Sequence, residues 1–265
     1  MTAGSSPELP TIWADEAGPL GAPLVVLVHG SMDRSSGMLK LSRVLDGHSR
    51  VCRYDRRGYG RSTPPHGSHP GPFSMADQVA DLVELMAGRR AVLVGHSYGG
   101  NVALATAERH PQLVSAVAIY ETPASWMPWW PGSTAGSAAA SSPDAPEDAA
   151  ERFMRRMIGD ERWEALPERT RSTRRREGAA LVGELTDLRD HVPWTPEGIR
   201  VPVLAGIGTG AAPHHRRGMQ WMAEVIPGAR LVELAGCRHD APLSHPALFA
   251  AELVQPLLRE SSSAT

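Results

Sequence analysis

Val92-Leu93-Val94-Gly95-His96-Ser97-Tyr98-Gly99-Gly100-Asn101 joins an apolar, β-branched run to Val102-Ala103-Leu104-Ala105-Thr106-Ala107, a segment of helix-forming composition. The order is strand, sharp turn, helix, with Ser97 at the apex. So tight a turn needs small neighbours two positions either side, because a Cβ at Gly95 or Gly99 would collide with the adjoining strand or helix. Ser97 is thereby lifted clear of the sheet, and the Tyr98 amide at the start of the helix points where negative charge would develop. A serine in an ordinary strand–helix turn does not require both glycines.

Outward from this unit, strands alternate with helices. Pro23 to Val28 is apolar on both faces, as a strand covered by helices on each side must be. It ends in His29-Gly30-Ser31-Met32-Asp33. A helix is predicted over Met38–Leu45 and a strand over Arg50–Tyr54, followed by the glycine-broken loop Asp55-Arg56-Arg57-Gly58-Tyr59-Gly60-Arg61-Ser62 and a Pro- and His-rich stretch from Thr63 to Pro72. Ser74 with Asp77 forms a capping-box pattern before a helix whose apolar face is Val79, Leu82, Val83, Leu85 and Met86. The Ser97 helix should stop near His110-Pro111, and Leu113 to Ile119 reads as a strand. Leu9 to Ala14 is a candidate edge strand after a loose residue 1–8 segment. This alternation predicts a mostly parallel, doubly wound α/β sheet with right-handed crossovers.

The alternation breaks after Glu121. From Thr122 to Arg200 about 80 residues pass without a convincing strand, far more than a strand–helix connection uses. The domain expectation is therefore a core of residues 1–121 and 201–265, with a helical cap inserted over 122–200. Helices are predicted at Glu151–Ile158 and Ala180–Leu188, and the Ser/Ala/Gly/Pro-rich stretch 131–148 reads as flexible. The arginines at 169, 171, 174, 175 and 176 suggest a solvated helix face. After the insertion come a strand (Val201–Gly206), a helix (His214–Ile226), a strand (Ala229–Leu234), a loop holding His239 and a final helix from Pro246 to Arg259.

Composition bounds the function classes. A chain of 265 residues, 42% hydrophobic, can bury about three quarters of its unfolded surface. The formal net charge of −2 gives no reason to expect nucleic acid or an anionic membrane as partner. No window approaches the roughly 18 apolar residues of a membrane span, and the first residues carry neither the basic start nor the apolar run of a secretory signal. Cys52 and Cys237 are too few for a disulfide framework and fit a reducing cytoplasm. His214-His215 and His66 with His69 have no partners that spacing places, so no metal site is expected.

Ser97 needs a base, since an alcohol is a poor nucleophile at neutral pH. Among 11 histidines His239 stands out, in a turn-forming loop after the last strand, at the sheet edge where Ser97 also emerges. His96, inside the elbow, reads as structural. Ser97 in its elbow, His29-Gly30, the loop Asp55 to Ser62 and the late His239 together resemble the α/β-hydrolase family, over nearly the whole chain outside the insertion.

That resemblance implies a catalytic carboxylate, most often in the loop after the strand that follows the cap. Here that loop, Gly206-Ile207-Gly208-Thr209-Gly210-Ala211-Ala212-Pro213, contains no acid. A second placement, similar to some haloalkane dehalogenases, ends the strand that follows the nucleophile's helix, and Glu121 stands there. Adjacent parallel strands lie about 4.8 Å apart, so a glutamate at that end can reach His239. Asp144, Asp148, Asp187, Asp190 and Asp240 remain weaker alternatives.

The expected chemistry is that of a serine hydrolase. His239 takes the Ser97 proton, Ser97 attacks a carbonyl, and Glu121 orients the imidazole. By the same resemblance the backbone amides of Tyr98 and Ser31 hold the oxyanion, with Met32 as the other candidate donor, each donor typically worth about 3 kcal/mol. No cofactor is required. Met32, Trp126, Trp129 and Trp130 are candidate contacts for an apolar small-molecule substrate, most simply a carboxylic ester. Acyl transfer, C–C bond hydrolysis and non-catalytic ligand reception use the same fold.

Overall fold

In the computed structural model, residues 12–63, 73–142 and 144–263 are described. Seven strands form one sheet: β1 (Ala14–Ala17), β2 (Leu24–Val28), β3 (Arg50–Tyr54), β4 (Ala91–His96), β5 (Val114–Tyr120), β6 (Val203–Gly208) and β7 (Arg230–Leu234), in spatial order β1-β3-β2-β4-β5-β6-β7. All pairings are parallel except that of β1 with β3. The chain thus has the α/β-hydrolase fold that its sequence predicts.

Two hydrophobic layers cover the sheet, and period-two alternation along β2 feeds both. Val26 and Val28 enter the layer beneath α2 (Met75–Met86) and α3 (Tyr98–Arg109). Val25 and Leu27 enter the layer on the other face, with α1 (Leu39–Leu45) and Phe249. All five β2 residues are buried, which is why the segment reads as continuously apolar. The predicted capping box starts α2: the Ser74 side chain accepts from the Asp77 amide while the Asp77 carboxylate accepts from the Ser74 amide.

The ladder sets the level of the strand ends. His96 lies opposite Tyr120, Tyr120 opposite Gly206, and Gly206 opposite Val232. The residues that follow β4 and β5, Ser97 and Glu121, therefore leave the sheet side by side at its carboxyl edge.

Two sequence expectations need correction. The edge strand is Ala14–Ala17, not Leu9–Ala14, whose first three residues lie outside the described ones. Its Ala-Asp-Glu-Ala sequence carries no apolar signal. Pairing with β3 makes it a strand, together with ion pairs from Arg53 to Asp15 (2.5 Å) and from Arg50 to Glu16 (3.0 Å). The final helix is broken into α11 (Pro246–Phe249), a π turn over Ala250–Val254 and α12 (Gln255–Ser263), after a short α10 (Ala241–Ser244). Pro256 explains the widened turn, because its ring crowds the carbonyl four residues back and it has no N–H to donate. The stretch 131–148 holds α4 (Ala135–Ala140), whose first turn is capped by Thr134 accepting from the Ser137 amide at 3.0 Å.

Between β5 and β6 the described residues contain no strand. After α4 come α5 (Pro146–Ile158), α6 (Asp160–Glu164), α7 (Glu168–Arg176) and α8 (Gly178–Asp190), and α9 (Pro213–Val225) then joins β6 to β7. As the arginine run suggests, α7 buries none of its residues; Arg171 and Arg175 pair with Glu164, Glu168, Asp148 and Glu151.

Candidate active site

The turn after β4 has the geometry that its glycines imply. A Cβ on Gly99 would stand 2.2 Å from the Val28 carbonyl oxygen, and one on Gly95 would stand 2.5 Å from the Gly100 Cα. Neither strand nor helix can give way by that much. Ser97 is held at φ 53°, ψ −126°, with its amide donating to the Tyr120 carbonyl at 2.9 Å. Among the described residues four non-glycines have positive φ, and three of them, Met32, Ser97 and Glu121, lie here. Strain of this kind gathers where function requires a fixed side chain.

Glu121 leaves β5 at φ 45° and is fully buried between the ends of β5 and β6. Its amide donates to the Gly206 carbonyl at 3.2 Å, and its Oε1 accepts from the Gly208 amide at 3.2 Å. Oε2 lies 2.8 Å from His239 Nδ1. The last residue of β6, the strand whose following loop has no acid, thus contributes an amide that fixes the acid from β5.

His239 is held from several sides. Tyr120 Oη donates to the Arg238 carbonyl at 2.9 Å, and the His96 ring is 2.7 Å from the His239 carbonyl through Nε2, so that nitrogen carries its proton. The His239 ring lies between His96, at 4.7 Å between centroids, and His215, stacked at 4.8 Å. Burial lowers the pKa of His96 to about 3 and that of His215 well below the usual value, and His239 nearby adds to both effects. Both neighbours are therefore neutral.

Ser97 Oγ has no hydrogen-bond partner among the described residues, and neither has His239 Nε2. Both groups face two cavities that meet at them, of about 490 and 760 Å³. Gly30 packs against the serine, where a Cβ would come within 2.8 Å of Ser97 Cβ. Tyr98 is the first residue of α3.

A model of the Alpha/beta hydrolase family matches residues 25–252. The chain belongs to that family. A pimeloyl-[acyl-carrier protein] methyl ester esterase from Aromatoleum aromaticum is 32% identical over 203 residues, 69% of this chain and 80% of that protein. Epoxide hydrolase A of Mycobacterium tuberculosis is 35% identical over 113 residues, 41% of this chain and only 34% of that protein. The crystal structure of an enol-lactonase from Burkholderia xenovorans LB400 aligns with a TM-score of 0.66 at 28% identity, covering 91% of this chain and 94% of that one. The protein is a hydrolase of the α/β fold, and among its described residues no helix is long and apolar enough to cross a membrane.

In this α/β hydrolase the candidate substrate contacts divide. Trp130 lines the smaller cavity and Met32 the larger. Trp126 and Trp129 line neither. Trp126 packs edge-on against Trp194 and Trp221 at 5.6 and 6.1 Å, and Trp129 against Trp221 at 6.3 Å, so these rings serve as packing between the insertion and α9. The alternative acids are engaged elsewhere or apart from the imidazole: Asp148 pairs with Arg175, and Asp187 accepts from the Met75 amide. His215 does have neighbours, contrary to its sequence reading. One ligand atom each from Glu121, His215 and His239 lie within 4.8 Å of one another, although Glu121 and His239 are already joined by their hydrogen bond. His66 and His69 lie outside the described residues.

Sequence reading missed the clamp beneath the turn from Gly30 to Arg34. Glu184 on α8, fully buried, receives Arg56 at 2.6 Å, Ser31 Oγ at 2.6 Å and Tyr59 Oη at 2.7 Å. Glu177, just before α8, receives Arg34 at 2.6 Å and the Gly60 amide at 2.8 Å. Arg174 donates to the Met32 carbonyl at 2.9 Å. The Arg56 guanidinium also lies over the Tyr59 and Tyr98 rings, at 5.0 and 4.7 Å. A signal was present: Glu177, Leu181, Glu184 and Leu188 form one i, i+4, i+7, i+11 stripe, which puts two carboxylates on the buried face of α8.

Two outcomes follow. Glu184→Ala leaves Arg56 as an unpaired buried cation and should cost about 3–5 kcal/mol in urea unfolding, much of it recovered in Arg56→Met/Glu184→Leu. His29, His96 and His215 are all neutral in the fold, with burial depressing each pKa. Below pH 6.5 the unfolded chain binds protons that the folded chain refuses, so stability should fall as pH drops from 7 to 5. The slope approaches about 1.4 kcal/mol per pH unit for each histidine, and His215→Phe should make it shallower.

Proposed function

We propose that the protein is a serine hydrolase acting on a carboxylic ester of a small, largely apolar molecule through an acyl-enzyme on Ser97. One observation carries this reading: a fully buried glutamate hydrogen-bonded at 2.8 Å to the imidazole of a histidine that shares its cavities with a serine on a strained elbow.

An ionised Glu121 can only accept, so the proton of His239 sits on Nδ1 and leaves the Nε2 lone pair as base. Nε2 removes the Ser97 proton as Oγ attacks the ester carbon. The tetrahedral oxyanion forms between the amides of Tyr98 and Ser31. Collapse expels the alcohol, which takes the proton back from Nε2, and water activated by the same nitrogen then releases the acid. The hydroxyl and Nε2 are unbonded in the free enzyme, and bonds of this kind tighten when substrate fills the site. Glu121 stabilises the imidazolium without taking its proton.

A serine at position 97 disfavours the chemistry of the epoxide hydrolase relative, whose resemblance to this chain spans a third of its own length. The esterase relative, matched over 80% of its length, supports the ester reading. Cys52 and Cys237 are buried and free, with burial pushing the Cys52 thiol up to about 12, which suits a reducing compartment such as the cytoplasm.

A fluorophosphonate probe should label Ser97 and fail to label Ser97→Ala; absence of labelling in folded protein sinks the proposal. Glu121→Gln, close in shape, should lower kcat for a p-nitrophenyl ester by about three to four orders of magnitude while the protein remains folded. Near-normal turnover would move the orienting role to another carboxylate.

A further inference from the structure

The insertion is rich in arginine, and several of its cations are paired with acids. Arg155 meets Glu151, Asp160 and Glu164; Arg171 meets Glu164 and Glu168; Arg174 meets Glu177; Arg175 meets Glu147, Asp148 and Glu151. Among the insertion's arginines that form no ion pair with a described residue, two stand in the wall of the smaller cavity, next to an arginine of the core. Arg156 on α5, Arg189 on α8 and Arg238 beside His239 all line the smaller cavity, all are exposed, and none of their guanidinium groups has a partner among the described residues.

The same cavity has one carboxylate in its wall, Glu121, and that group is committed to His239 and to the Gly208 amide. The chain as a whole carries a net charge of −2, so this positive rim is a local feature. The larger cavity is different in kind. Its wall sets Arg162, Arg174 and Arg238 against Asp33 and Asp240, and is otherwise largely apolar, with Phe153, Met154 and Leu166.

We infer that the smaller cavity receives an anionic group of the substrate, held by Arg156 and Arg189 with Arg238 contributing, while an uncharged arm lies in the larger cavity. This rests on the ester reading and narrows it to an ester that carries a carboxylate or similar anion away from the scissile bond. Three free cations converging on one concave surface lower the free energy of a bound anion through charge-assisted hydrogen bonds, and guanidinium suits the planar, two-point geometry of a carboxylate. Solvent at the rim weakens each contact, so the preference should respond to salt.

Matched ester pairs test the inference on both sides of the scissile bond. Mono-p-nitrophenyl adipate is compared with p-nitrophenyl hexanoate, and 4-carboxyphenyl hexanoate with phenyl hexanoate. In at least one pair the anionic ester should have the larger kcat/KM, by about tenfold, with the ratio shrinking in 1 M NaCl. In Arg156→Gln/Arg189→Gln the ratio should collapse toward one, whereas Arg156→Lys/Arg189→Lys should keep most of it. Equal rates within both pairs, or a preference that survives the glutamine variant, overturn the inference while the ester reading stands. No turnover of any of the four esters, together with no labelling of Ser97, overturns the ester reading and this inference with it.

Discussion

The last rungs of the parallel ladder are the constraint on which the site depends. The Ser97 amide donates to the Tyr120 carbonyl and the Glu121 amide to the Gly206 carbonyl, so three successive strands end at one level. Beyond those rungs β4 and β5 each lead into a residue of positive φ, Ser97 and Glu121, whose side chains leave the sheet from neighbouring strands. A slip of one residue in the β4–β5 register would point the glutamate at the opposite face, because side chains alternate along a strand. The continuous burial of β4 and β5 on both faces makes such a slip costly.

The insertion helps to hold the carboxyl edge of the sheet. Its buried carboxylates, Glu177 and Glu184, reach past the sheet edge to the Gly30–Arg34 turn and the Arg56–Gly60 loop. The turn that holds Ser31 is therefore fixed partly by a helix later in the chain, with the pair separation being 153 positions. A buried ion pair is a weak source of net stability, but it specifies one arrangement because either partner alone is costly to bury.

Arginine use follows the same division between fold and site. Arg56 and Arg57 are buried and paired with Glu184 and Asp81, and act as internal struts. Arginines along α7 are solvated and tied to acids of neighbouring helices. Those on the rim of the smaller cavity have no such partner, which leaves their charge available to whatever enters.

Local pattern determined much of this protein before any tertiary contact was known. Two-sided apolar runs specify buried parallel strands, and a Gly-x-Ser-x-Gly turn between an apolar run and a helix-forming segment specifies an elbow, because each of these is a property of a few adjacent residues, whereas Glu121 was pointed to by the family resemblance once the Gly206–Pro213 loop proved to hold no acid. Other features depended on the folded chain. Ala14–Ala17 becomes a strand only by pairing with β3, Pro256 widens a helix only through the carbonyl it crowds, and Trp126 and Trp129 turn away from the cavity because Trp194 and Trp221 offer them a packed surface. The partners of Glu184 and the lack of partners for Arg156 and Arg189 were equally invisible, since a charge is paired or free according to what the fold brings within a few ångströms, and sequence spacing says nothing about contacts across a hundred residues.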